Sequence, residues 1–166
     1  PVYILTPCAN LRRIAISFFF DRSEILTPST FSAWSRMMSS VRSKDTRPEL
    51  IARRYFWHQG LRYRLHVKNL PGRPDIVFPK HRAVVEVRGC FWHGHTNCKY
   101  FVVPKTRTKW WLNKITTNKN NDRKNSRALT EQGWEVIKIW ECELKKNKLE
   151  NTLSKLLEKI KTVTVW

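Results

Sequence analysis

Two short β-forming runs joined by a turn constrain this chain more than any other stretch. Leu70-Pro71-Gly72-Arg73 has the composition of a turn, and Asp75-Ile76-Val77-Phe78 and Ala83-Val84-Val85-Glu86-Val87-Arg88 follow it, joined across Pro79 to Arg82. The pair is expected to form a hairpin. A lone hairpin is marginal in water, so other elements must cover it. Thr46-Arg47-Pro48-Glu49 matches a capping box with Pro in the first turn, and Gly60 offers a stop, which predicts a helix over 47–59. A long polar helix is expected over 108–132, ended by Gly133, and Trp134 to Trp140 alternates as a strand. The last helix, 147–161, carries Leu149, Leu153, Leu156, Leu157 and Ile160 on one face. The order α, β, β, α, β, α predicts an α/β fold, a small mixed β-sheet flanked by helices.

A chain of 166 residues fits one core of ordinary size. Residues 1–33 lack clear periodicity and are read as an N-terminal extension of unknown role, with 34–166 as the functional domain. The longest apolar run, Ile14 to Phe20, ends at Asp21 and is far short of the roughly 18 residues of a membrane span, so no membrane partner is expected. Charge is lopsided: 32 Lys and Arg against 13 Asp and Glu give a formal +19. Such a field attracts polyanions, and nucleic acid is the first partner to consider. Cys8, Cys90, Cys98 and Cys142 could form disulfides, but a basic chain without a secretory segment suits a reducing cytoplasm, where metal ligation competes as the explanation.

Several residues could carry chemistry. Asp75 and Glu86 sit on neighbouring predicted strands, and Glu86 and Arg88 share one face of theirs. Converging carboxylates suit a hard cation such as Mg²⁺, with the Val87 backbone carbonyl as a further ligand; the alternative is a surface Glu86/Arg88 pair and a turn aspartate. Cys90, His95 and Cys98 follow the spacing C-x4-H-x2-C, and Cys142 lies just beyond the Trp134 to Trp140 strand. Three thiolates and an imidazole would make a closed structural zinc site, against the alternative of buried, unligated cysteines. His93 is the nearest spare imidazole and could act as a general base or be a plain loop histidine. Phe91, Trp92, Trp110 and Trp111 lie among Lys99, Lys105, Arg107 and Lys109, which suits a surface that holds phosphates and wedges rings between bases; core packing is the alternative for any single ring. The polar run Asn118 to Arg127 reads as a solvated helix face or as phosphate contacts.

Taken together these residues resemble the very-short-patch mismatch-repair endonucleases of bacteria. The matching runs are Ser35 to Glu49, Leu61 to Phe78, Gly89 to His95, Val103 to Trp111 and Gly133 to Leu144, and the resemblance spans about 34–160. It implies a restriction-endonuclease-like core with a structural zinc, and Mg²⁺-dependent nicking 5′ of the mismatched thymine in a T:G pair. By motif, Asp75 would ligate the metal, His93 would activate water, and Glu49 would be an accessory acid. Cys90, His95, Cys98 and Cys142 fall on the zinc ligands, with one residue more between His95 and Cys98 than some members show. Phe91, Trp92 and Trp111 match the rings that wedge into DNA. The family usually places an apolar residue, then Thr or Val, then His before the GCFWH run. Here Glu86, Val87 and Arg88 stand there, a local pattern that resembles PD-(D/E)xK nucleases with Arg for Lys. The resemblance further implies a monomer acting on mismatched duplex DNA in the bacterial cytoplasm at the nucleoid, with other mismatch-repair proteins as candidate partners. Two alternatives follow: a restriction-type nuclease with another target, and a zinc-stabilised DNA-binding module that has lost catalysis.

Overall fold

The computed structural model describes residues 44–163, within the compact unit Arg42–Trp166. The extension expected over 1–33, and Cys8 with it, lies outside the described residues. Helix α1 is Arg47–His58, strand β1 is Ile76–Phe78, β2 is Ala83–Arg88, helix α2 is Thr108–Glu131, β3 is Glu135–Trp140, and helix α3 is Leu149–Thr162. Each falls within two residues of its predicted bounds. Short 3₁₀ turns at Pro79–His81 and Glu141–Leu144 follow β1 and β3.

The three strands stand in the order β1-β2-β3, with β1 antiparallel to β2 and β2 parallel to β3. The mixed sheet follows from connection length. Pro79 to Arg82 can only reverse the chain, whereas a parallel neighbour needs a crossover, and the 24-residue α2 supplies it. One pairing had no sequence signal: Arg64 bridges Val77 on the outer side of β1, donating its N–H at 2.8 Å and accepting that of Val77 at 2.9 Å. A single bridge leaves no alternation to read.

Both faces of the sheet are buried. Ala83 and Val85 of β2, with Ile137 and Ile139 of β3, pack on Ala52 and Phe56 of α1 and on Leu153 and Ile160 of α3. Phe56 meets Phe78 edge to face at 5.4 Å. On the other face Val77 and Val84 meet Leu129 of α2. Val84 therefore puts Glu86 and Arg88, which share its face by the strand period, on the α2 side.

The start of α1 departs from the expected capping box. The Thr46 hydroxyl donates to Glu49 Oε1 at 2.7 Å instead of accepting a backbone N–H, and the Asp45 N–H donates to Glu49 Oε2 at 3.1 Å. Glu49 is drawn inward because Arg53, one turn on, donates to Oε2 at 2.8 Å. An ionised partner outcompetes the neutral cap.

After β2 the chain makes tight turns. The N–H groups of His93, Gly94 and His95 donate to the carbonyls of Gly89, Phe91 and Cys90 at 3.2, 3.2 and 2.9 Å. Gly94 has φ +60°, and a Cβ there would lie 2.8 Å from Ile115 Cγ2 of α2. Only glycine permits both the left-handed backbone and this close approach. We expect Gly94→Ala to cost about 1–3 kcal/mol in denaturant unfolding. Unchanged stability would mean that the turn does not depend on this contact.

Candidate active site

The loop after β2 is held by one face of α2. Along that helix Trp111, Ile115, Asn118, Lys119, Asp122, Asn125, Ser126 and Leu129 are all sheltered, while the residues between Lys119 and Asp122 are exposed. The stripe is apolar at its ends and polar in the middle. Asn118 donates to the Trp92 carbonyl at 2.9 Å, Lys119 reaches the Gly94 carbonyl at 3.4 Å, and Asp122 Oδ2 lies 2.6 Å from His93 Nδ1. The polar run is thus, on this face, neither solvated nor free for phosphate. It grips the site.

Asp122 also lies 3.7 Å from Arg88 Nη1. Arg88 is buried, its Nη2 donating to Glu86 Oε2 at 2.6 Å and to Ser126 Oγ at 3.4 Å. Asp122 therefore joins His93 to the Glu86/Arg88 pair. A carboxylate can only accept, so the hydrogen of this bond sits on His93 Nδ1, and in the neutral ring that leaves Nε2 with a lone pair. That is the tautomer a general base needs.

Continuing the β1-β2 register one step beyond Ile76 and Val85 sets Asp75 opposite Glu86. Asp75 Oδ2 accepts the Val87 N–H at 2.7 Å. Burial pushes the Asp75 carboxyl up to about 7; the Val87 N–H opposes the rise, the like charges of Glu49 and Glu86 add to it, and Arg53 opposes it. Among the described residues, Glu49 is paired with Arg53 and Glu86 with Arg88, while no cation pairs with Asp75. Three clustered carboxylates with two cations leave a site short of positive charge, which a divalent cation would correct.

On the other side of the loop Cys90, His95, Cys98 and Cys142 bring their ligand atoms within 4.8 Å of one another, a cluster that could hold a metal ion. His95 Nδ1 is 3.5 Å from Cys142 Sγ, and the ring stacks on Trp140, 4.0 Å between centroids. The thiols do not share one acidity. The Tyr100 N–H holds Cys98 below the usual range, whereas burial pushes Cys90 up to about 12 and raises Cys142 as well. Crowded thiols of this kind lose their protons together only to a cation, which fits a metal site.

The aromatic residues form one pile. Trp111 is its hub, 6% exposed, with Phe91, Trp92 and Trp110 at 5.2, 6.0 and 4.7 Å between centroids. Phe91 and Trp92 are only half-buried and meet edge to face at 5.2 Å. The structure thus brings the expected residues into three adjoining groups: the Asp75, Glu86, Arg88 and His93 centre, the Cys/His cluster, and the rings. Glu49 and Arg53 reach the first group from α1 through charge. Among the described residues no hydrogen bond joins His93 to Asp75 directly. Asp122, Asn118 and Ser126 were not foreseen. Their spacing of four residues, between Ile115 and Leu129 on the same face, is the signal that could have found them.

A profile of the family described as DNA mismatch endonuclease Vsr matches residues 23–99. The type II nicking enzyme V.XorIIP of Xanthomonas oryzae is 49% identical over 108 residues, 65% of this chain and 79% of the relative. The type II nicking enzyme V.NmeAIP of Neisseria meningitidis is 43% identical over 133 residues, 80% of this chain and 94% of its own. The DNA mismatch endonuclease Vsr of Escherichia coli is 42% identical over 111 residues, 67% and 70% of the two chains. Among the described residues, no helix is long and apolar enough to cross a membrane.

The raised acidity constant of Asp75 sets a sign. Its carboxyl is protonated in the folded state up to about pH 7, whereas in the unfolded chain it ionises near 3.8, so its contribution to stability is present below that value and is lost as pH rises to about 7. In buffer without added divalent cation, Asp75→Asn should match the parent near pH 4 and melt higher than it at pH 8. Equal melting temperatures at pH 8 would contradict the buried-charge assignment.

Proposed function

Because the chain belongs to the DNA mismatch endonuclease Vsr family and is a DNA endonuclease, we propose that it nicks one strand of duplex DNA 5′ of the thymine in a T:G mismatch. The observation that carries this reading is the run of contacts from His93 through Asp122, at 2.6 Å, to Arg88 and Glu86, with Asp75 bonded to the N–H of Val87 between them and half-buried rings next in the chain. Asp75 and Glu86, with the Val87 carbonyl, would hold Mg²⁺. That ion, when bound, supplies positive charge beside the scissile phosphate. The protein does the rest. Asp122 keeps His93 in the tautomer whose Nε2 takes a proton from the attacking water, a task Arg88 cannot perform because its guanidinium does not deprotonate. Arg88, held by Glu86 and Ser126, instead faces the negative charge that builds on the phosphate.

Phe91 and Trp92, backed by Trp111, would enter the duplex beside the mispaired step, which costs less to unstack than a matched one. Lys99, Lys105, Arg107 and Lys109 near the pile would meet phosphates. Cys90, His95, Cys98 and Cys142 would bind Zn²⁺ as a closed four-ligand site. The enzyme would work as a monomer in the bacterial cytoplasm, on DNA of the nucleoid.

Glu86 and Arg88 favour a second reading, a nuclease of the PD-(D/E)xK type with a different target. A nicking assay on T:G and matched duplexes separates the two. We expect one-strand cleavage of the T:G duplex in Mg²⁺, stopped by Asp75→Asn; equal cutting of the matched duplex would favour the second reading, and no cutting of either would leave only DNA binding.

For the zinc site, elemental analysis should find about one Zn²⁺ per chain. Cys90→Ser should lose both the metal and the cooperative unfolding transition, because structural zinc binding of roughly 10–16 kcal/mol in small peptides is comparable with the stability of a whole domain. A stable, active, zinc-free preparation would refute the assignment.

A further inference from the structure

Arg53 occupies a costly position. It lies on the inner side of α1 between Ala52 and Phe56, both fully buried, and is itself 4% exposed. A buried guanidinium gives up water, and pairs of this kind are often no more stabilising than apolar side chains of the same size. One of its nitrogens, Nε, is buried without a hydrogen-bond partner among the described residues. Stability alone is therefore a poor reason for arginine here.

The two remaining nitrogens are committed to one end of the helix. Nη2 donates to Glu49 Oε2 at 2.8 Å, and Nη1 pairs with Asp45. Glu49, 5% exposed, also accepts from the Asp45 N–H at 3.1 Å and from Thr46 Oγ1 at 2.7 Å. Three donors fix both of its oxygens, and a carboxylate has about four acceptor positions, so roughly one is left over. Tyr63 adds an anchor from outside the helix, its hydroxyl donating to the Arg53 carbonyl at 3.2 Å. Both charges are felt at Asp75, Glu49 as a like charge and Arg53 as the opposite one.

We propose that Arg53 is a positioning residue of the nicking reaction: with the Asp45 N–H and the Thr46 hydroxyl it holds the Glu49 carboxylate in one orientation, leaving a single acceptor position for the reaction centre. The proposal rests on the endonuclease reading above. Arg53 thus fixes Glu49 from α1, while Arg88 pairs with Glu86 on β2; among the described residues neither arginine pairs with Asp75.

A double-mutant cycle tests this on the full, metal-loaded chain, using Arg53→Met, Glu49→Gln and the double variant. The rate of single-turnover nicking of a T:G duplex at saturating Mg²⁺ should fall between about 10- and 100-fold in each single variant, the range expected when a group near the reacting atoms is misplaced. The double variant should be no slower than the slower single one by more than about twofold. The Thr46 signals should shift in the proton–nitrogen spectrum of Arg53→Met as they do in Glu49→Gln, because the Thr46 hydroxyl bonds Glu49 Oε1, a change that a general packing role would not couple to Glu49. Arg53→Lys keeps the charge without the fork, and should recover part of the rate; if Arg53→Met does not fold, Arg53→Lys takes its place in the cycle with the same expected non-additivity. Losses that multiply, a near-native rate, or unmoved Thr46 signals would overturn the proposal. Failure of the parent protein to nick either duplex would overturn the endonuclease reading and this one with it, a result distinct from multiplying losses.

Discussion

The carboxylate of Asp122 is the interaction on which the rest of the site depends. It lies 2.6 Å from His93 Nδ1 and 3.7 Å from Arg88 Nη1, so one charge on α2 sets both the orientation of the imidazole after β2 and the environment of the last cation on β2. The helix is able to do this because it is the crossover between two parallel strands and must lie against their face. Leu129 seats one end in the apolar layer beside Val77 and Val84, and Ile115 touches the turn at Gly94 near the other. Between them the stripe turns polar. Asn118, Lys119, Asp122 and Ser126 then meet backbone carbonyls and site side chains where a purely structural crossover would place leucine.

A short loop serves two centres at once. Gly89 to His95 sends His93 toward α2 and sends Cys90 and His95 toward Cys142 at the end of β3. The turns that permit this are tight, and Gly94 is where they press hardest on the helix. A metal at the Cys/His cluster would therefore fix the same backbone that carries His93, so fold and chemistry share one set of covalent constraints.

The charges are arranged for function at some cost to stability. Glu49 and Glu86 each have an arginine, at 2.8 and 2.6 Å, but among the described residues Asp75 has only the Val87 N–H, and burial, helped by the like charges of Glu49 and Glu86, drives its carboxyl up to about 7. A core optimised for stability would pair or remove that group. Such an unpaired carboxylate is the ligand that the proposed cation would complete.

Sequence alone determined the elements and their order, because helix and strand are set by local spacing, turn residues and caps, all within a few positions of one another. The carboxylates of Asp75, just before β1, and of Glu86 on β2, and the spacing of the Cys/His ligands were legible for the same reason: a strand period and a ligand spacing are local rules. What only the tertiary structure decided involves partners distant in the chain. Asp122 reaches His93 across the whole loop and half of α2, Arg64 pairs with Val77 through one bridge, and Trp111 lies at the hub of the ring pile where adjacency to Trp110 cannot say which ring is covered. The start of α1 shows the contest between the two levels most plainly. Thr46 and Glu49 have the spacing of a capping box, but the Thr46 hydroxyl donates to Glu49 instead of capping the backbone, and Glu49 also takes a buried guanidinium. A short-range neutral hydrogen bond is worth about 1 kcal/mol, too little to hold a buried charge without an ionised partner beside it.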